Sequence, residues 1–136
     1  MNGQPEVAAL VRRWMEKATN DLRNAEHTLL LADDCPYDTV CFHAQQCVEK
    51  CLKAVLVREQ TAFPKTHDLE ELSLLLPESF ARPASVEEMA RLTPYGTSFR
   101  YPDDWRPVTR DEAEWSVGVA RRVREAIDSW LRDRLN

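Results

Sequence analysis

A chain of 136 residues has room for one domain, taken as residues 1–136, and its 43% apolar and 30% charged residues suit a protein that folds around a core. Three glycines, Gly3, Gly96 and Gly118, cannot supply a glycine-rich phosphate loop or a dinucleotide-binding turn, which excludes most nucleotide-enzyme classes. The balance of 18 Lys+Arg against 23 Asp+Glu gives −5, so a nucleic-acid site has to be a local patch, and the 14 arginines supply phosphate-gripping guanidinium groups for one.

From Pro5, well placed in a first turn, the apolar positions Val7, Leu10, Val11, Trp14, Ala18, Leu22, Ala25, Leu29 and Ala32 recur at threes and fours. They predict a first helix to about Ala32. The segment Asp33-Asp34-Cys35-Pro36 reads as a turn, and Val40, Ala44, Cys47, Val48, Cys51 and Val55 carry a second long helix to about Glu59. A short third helix opens at His67-Asp68, with Asp68 as N-cap, and runs through Leu76 before Pro77. Ser85 with Glu88 forms a capping box for a fourth. Pro94 predicts a kink or a fresh turn capped by Thr93, and Pro102 to Pro107 a loop. A second capping box, Thr109 with Glu112, then starts a helix whose face Ala113, Val117, Ala120, Val123, Ile127 and Leu131 reaches the C-terminus. The expected architecture is all-α: an antiparallel up-and-down bundle of four to five helices, three long and two shorter.

Cys35, Cys41, Cys47 and Cys51 contain no CxxC pair, which points away from a structural zinc and from a disulfide framework. His43, Cys47 and Cys51 stand at i, i+4 and i+8, yet three ligands on one straight helix wrap a tetrahedral ion poorly. No metal and no cofactor is therefore expected. The N-terminal stretch is broken by Arg12-Arg13 and lacks a small-residue cleavage site, and no apolar run approaches the ~20 residues of a membrane span. A cytoplasmic protein with no membrane contact is expected.

The second helix carries the chemistry. At about 100° per residue, Cys47, Cys51, Ala44, Val55, Val48 and Leu52 fill one arc, and His43, Gln46, Lys50 and Lys53 form a single stripe beside it. An imidazole, an amide and two ammonium groups along one groove edge suit an anionic ligand such as a nucleotide phosphate. The stripe also reads as a solvated face, with Glu49 and Lys53 as an i,i+4 pair. Phe42 falls on the outer side beside Gln45 and Glu49, where it wants cover from another subunit or from a neighbouring loop.

The phrases ATNDLRNAEHTLL at 18–30, CFHAQQCVEKCLKAVLV at 41–57, PKTHDLEEL at 64–72 and FRYPDD at 99–104, in that order, resemble the HEPN domain family. The resemblance runs from about Trp14 to the C-terminal helix. It implies a bundle of four to five up-and-down helices, usually a homodimer, that binds nucleotide or RNA. It also implies a separately encoded minimal nucleotidyltransferase as partner in a toxin–antitoxin-like module. It places His43, Gln46 and Lys50 with the Thr66-His67-Asp68 and Arg100-Tyr101-Pro102 segments around one groove. Alanine is usual in the family where Cys47 and Cys51 stand here, which favours core packing for both.

Some members are metal-independent ribonucleases marked by an arginine followed after four to six residues by a histidine, which handles protons while the arginine stabilises phosphate charge. Histidines stand here only at 27, 43 and 67, none at that spacing; the nearest miss is Arg23 and His27. No catalytic residue is nominated, although a ribonuclease with a different site and a purely structural interaction module remain alternatives. The candidate ligand-binding set is His43, Gln46, Lys50, Lys53, His67, Tyr95, Arg100 and Tyr101. Lys50, Lys53 and Arg100 are expected as phosphate partners and Tyr95 or Tyr101 as a stacking surface. Other readings stay open: His67 as the start of its helix, Arg100 with Tyr101 as an anchor for the Pro102 loop, and Trp105 as a plug at the bundle end. Arg121 and Arg124, on one side of the last helix, either complement its dipole or hold RNA.

Overall fold

In the computed structural model, residues 4–97 and 106–135 are described, and every regular element among them is helical. The order is α1 (Gln4–Leu29), α2 (Tyr37–Arg58), α3 (Leu69–Leu74), α4 (Val86–Leu92), a 3-10 turn at Thr93–Gly96, and α5 (Arg110–Leu135). α1 ends three residues before the expected Ala32. The amides of Leu30 and Leu31 bond to the carbonyls of His27 and Thr28, tightening the chain into turns, and Asp34 takes a left-handed φ of 55°. At the far end of α2 the Thr61 amide bonds Leu56 O and the Gln60 amide bonds Val57 O, with Gln60 at φ 54°. This is a Schellman closure made with glutamine where glycine is the usual residue.

The local caps form as their sequences direct. The Asp68 carboxylate accepts from the amides of Glu70 and Glu71, and Ser85 and Glu88 complete a reciprocal capping box. Thr109 and Glu112 do the same for α5. The fresh turn at Pro94 forms without Thr93 as its cap. The Thr93 hydroxyl instead donates to Met89 O at 2.8 Å and accepts the Leu69 amide at 3.1 Å, tying the end of α4 to the start of α3. The expected Pro102–Pro107 loop lies largely outside the described residues.

α1 and α2 form an antiparallel hairpin. Arg110, opening α5, donates to Tyr37 Oη at 3.2 Å and to Leu29 O at 3.4 Å. Farther along, Arg121 pairs with Glu26 and Arg124 reaches Thr19. α5 is therefore antiparallel to α1 and begins at the end where α2 begins, residues 59–109 having carried the chain back. α2 is the central element, flanked by α1, α5, α3 and the 3-10 turn. Its Val40, Ala44, Val48, Leu52, Val55 and Leu56 are fully buried, each large aliphatic side chain contributing roughly 1.5–3 kcal/mol. Cys41, Cys47 and Cys51 are buried in the same core. Burial pushes the Cys41 thiol up to about 11, and the Cys47 hydrogen bond with burial raises Cys51 well above the thiol range. Cys41 and Cys51 are therefore packed, protonated thiols. No described helix is long and apolar enough to cross a membrane.

Candidate functional site

The polar stripe of α2 is organised by two buried carboxylates. Asp21 projects from α1 in the turn between the core residues Ala18, Leu22 and Ala25, and it is 8% exposed. His43 Nδ1 lies 2.9 Å from Asp21 Oδ1, and Lys50 Nζ donates to Oδ2 at 2.5 Å. A carboxylate only accepts, so Nδ1 carries the proton and Nε2 is left as the open edge of the ring. His43 and Lys50 keep about a quarter of their side-chain surface in solvent, 26% and 22%.

Glu49, one turn along, is 3% exposed and collects more donors. Lys53 Nζ donates to Oε2 at 2.9 Å, and His67 Nδ1 sits 2.8 Å from Oε1. Gln46 and Gln45 approach Oε1 at 3.4 Å, and Gln46 also donates to Gln45 Oε1 at 2.8 Å. The Gln45 amide in turn donates to His67 O at 2.9 Å, which pins the chain entering α3 onto α2. Lys53 lies near the rings of Trp14 and Phe63, 5.7 and 5.9 Å from their centroids. A carboxylate this deep is tolerable only because the network pairs it.

The expected outer placement of Gln45 and Glu49 is thus corrected. Both are buried because α3 and the 3-10 turn close over that side of α2. Gly96 makes the closure possible, since a Cβ there would come within 2.5 Å of the Gln45 amide carbon. Phe42, on the same side, is half-buried with its ring edge-on to His43, centroids 5.3 Å apart.

Tyr95 is placed elsewhere. It is 3% exposed, and its hydroxyl donates to Glu112 Oε1 at 2.5 Å at the start of α5. The ring therefore packs in the core, and its expected role as a stacking surface for a base is corrected accordingly. Arg106 Nη2 donates to the same oxygen at 2.7 Å, and the Thr109 amide to Oε2 at 2.8 Å. The Arg106 guanidinium, chiefly, with the Tyr95 hydroxyl and the Thr109 amide, holds the Glu112 carboxyl at about 2; burial and Glu112 push the Tyr95 phenol up to about 12. Arg100 and Tyr101 lie outside the described residues, as does Trp105. Of the expected set, then, His43 and Lys50 meet at Asp21, and Gln46, Lys53 and His67 meet at Glu49.

The HEPN domain model matches residues 11–130, a span that includes both carboxylates and every partner named for them. The chain belongs to the HEPN domain family. Its fold is similar to the crystal structure of TT1696 from Thermus thermophilus, at 30% identity and a TM-score of 0.76, covering 95% of this chain and 98% of that one. It is also similar to ST0689, an archaeal HEPN homologue, at 25% identity and a TM-score of 0.66, covering 88% and 96%. No curated protein matches the chain.

Sequence reasoning found the donors of this HEPN domain and the Glu49–Lys53 pair, and missed Asp21 and the burial of Glu49. Asp21 had a readable signal, because a carboxylate in the turn bounded by Ala18, Leu22 and Ala25 points toward the core and needs a cation there. The pairing of Glu49 with Lys53 was readable from the i,i+4 spacing, but its burial was not, since what covers it arrives from the chain beyond residue 60. Midway along α5 the cations divide: Arg121 pairs with Glu26 at 2.6 Å and Arg122 with Glu88 at 2.6 Å, whereas Arg124 bonds Thr19 Oγ1 at 3.2 Å.

Proposed function

We propose that this HEPN domain binds a nucleotide or RNA phosphate at the face where His43 and Lys50 emerge between α1 and α2, and that it acts as the binding subunit for a separately encoded minimal nucleotidyltransferase. Family membership supports the ligand class. The observation that carries the site is the sharing of Asp21: one buried carboxylate fixes an imidazole and an ammonium while both stay partly in solvent. Donors held in place this way lose little side-chain freedom when a ligand arrives, which favours affinity. Lys50 retains further N–H donors for a phosphate oxygen, and His43 offers Nε2 to a base or ribose hydroxyl. A homodimer is part of the proposal, and Phe42 beside His43 is the residue it would use.

Calorimetric titration with ATP, GTP and a short RNA tests this, using Lys50→Gln because an amide still donates to Asp21 and spares the fold. Micromolar binding that the variant weakens at least tenfold supports the site. Equal affinity in both proteins sinks it. Co-purification with a nucleotidyltransferase expressed in the same cell tests the partnership, and its absence under conditions where both are soluble would overturn that half.

A further inference from the structure

The outer face of α1 carries cations of a different kind. Arg12 and Arg23 stand eleven residues apart, about three turns, and so share one side of the helix. Both are exposed, and neither makes a hydrogen bond or ion pair with any described residue. Arg124 reaches the same place from α5; its Nε bonds the Thr19 hydroxyl and no carboxylate among the described residues. These three line an open groove of about 500 Å³ with Met15, Glu16 and Asn20. Sharing Asn20 and Arg23, a second depression of about 310 Å³ continues it to Asn24 and His27. At the other end, sharing Arg12 and Met15, a third of about 180 Å³ runs to Leu131 and Arg132. The three adjoin along α1 for roughly 22 Å, taking 1.5 Å per residue from 12 to 27.

In a chain of net charge −5 this face is locally positive: Arg12, Arg23 and Arg124 oppose one carboxylate, Glu16, in the central groove, and the Asp128 carboxylate of the third depression is paired with Arg132. Unpaired guanidinium groups at intervals along a channel match the repeating charge of a phosphodiester strand. Asn20, Asn24 and His27 between them supply amide and imidazole groups for sugar or base edges. A second copy of the chain is a poor occupant, because a two-fold contact would set these like charges against each other.

We infer that the α1–α5 groove is a track for single-stranded RNA, gripping the backbone at Arg12, Arg23 and Arg124. The inference rests on the preceding reading only for the class of ligand; the surface is a separate one. The test measures fluorescence anisotropy of a labelled decaribonucleotide over a salt series, with wild type, Arg12→Gln/Arg23→Gln, and Lys50→Gln. The arginine pair is expected to lower affinity at least tenfold. It should also make the slope of log affinity against log salt shallower by about 1.4, two phosphate contacts at about 0.7 each for a single strand. Unchanged affinity and slope in the arginine variant overturn the track, and so does wild type that binds no RNA at low salt. ATP titration separates the two readings: loss of ATP binding only in Lys50→Gln upholds the α2 site whatever becomes of the groove. Anionic phosphatidylglycerol vesicles captured in place of RNA, with the same arginine dependence, would reassign the groove and refute the RNA track.

Discussion

Two groups of cations on neighbouring helices have opposite fates. Lys50 and Lys53 on α2 are tied to carboxylates that are almost wholly out of water, whereas Arg12 and Arg23 on α1 have no partner among the described residues. Proximity in sequence to a family motif singled out the first group, yet charge balance favours the second for a polyanion. An ammonium bonded to a buried carboxylate is largely neutralised at short range, so Lys53 holds the bundle together and Lys50, more open to solvent, offers a phosphate a positioned donor more than net charge. An unpaired guanidinium in an open groove keeps its charge for a ligand.

The sharpest way to break this contrast is to remove a buried acceptor. Glu49→Ala leaves Lys53, itself only 12% exposed, without its partner and should cost about 3–5 kcal/mol in urea unfolding. Replacing the pair together, Glu49→Leu with Lys53→Met, should recover most of that loss, since apolar groups of similar size need no pairing. If the single change costs under about 1 kcal/mol, the network is not what holds α2 to the chain entering α3.

Next in size is Gly96→Ala. The added methyl meets the Gln45 amide, which is itself held by His67 O, so relief requires shifting the buried network. A loss of about 1–3 kcal/mol is expected by thermal or chemical denaturation. Gln45→Ala in the same background should give back part of the Gly96→Ala penalty, and strict additivity of the two changes would refute the contact.

A smaller effect follows from Glu112. Its carboxyl is held at about 2 instead of the ordinary 4.5, so between those values the unfolded chain binds a proton that the folded one does not. Stability therefore rises with pH across that window; it is complete above about 4.5 and is lost as the pH falls toward 2. Unfolding free energies measured from pH 2 to 5 should show that slope in the wild type and a flatter one in Glu112→Gln. Parallel slopes would remove Glu112 as the source.

Least of all, Arg12→Gln and Arg23→Gln should each change stability by no more than about 0.5 kcal/mol, because exposed side chains without partners hold nothing in place. A larger loss by calorimetric melting would show that the α1 arginines are structural after all. The comparison between the two groups would then collapse.

The elements were legible because their signals are local. The spacing in Val40 to Val55, the Asp68 N-cap and the capping boxes at Ser85 and Thr109 each act within a turn or two of the chain. Thr93 departs from this pattern because its hydroxyl is claimed by Met89 O and by the Leu69 amide, the latter 24 residues away. Tyr95 could not be placed from its neighbours either, its partner Glu112 lying 17 residues on. The stripe His43, Gln46, Lys50 and Lys53 was readable as a stripe and so was the Glu49–Lys53 pair, but not the tie of His43 and Lys50 to Asp21 or of His67 to Glu49.

By itself the sequence determined the helical class, the caps at Asp68, Ser85 and Thr109, the apolar core positions it named on α2 and α5, and the family to which the chain belongs. Periodicity and capping are short-range properties, written in residues a few positions apart. Only the tertiary structure decided which charges are spent and which are left over. That depends on what lies across from each side chain: Asp21 across from Lys50, the chain at His67 over Glu49, and open water before Arg12 and Arg23.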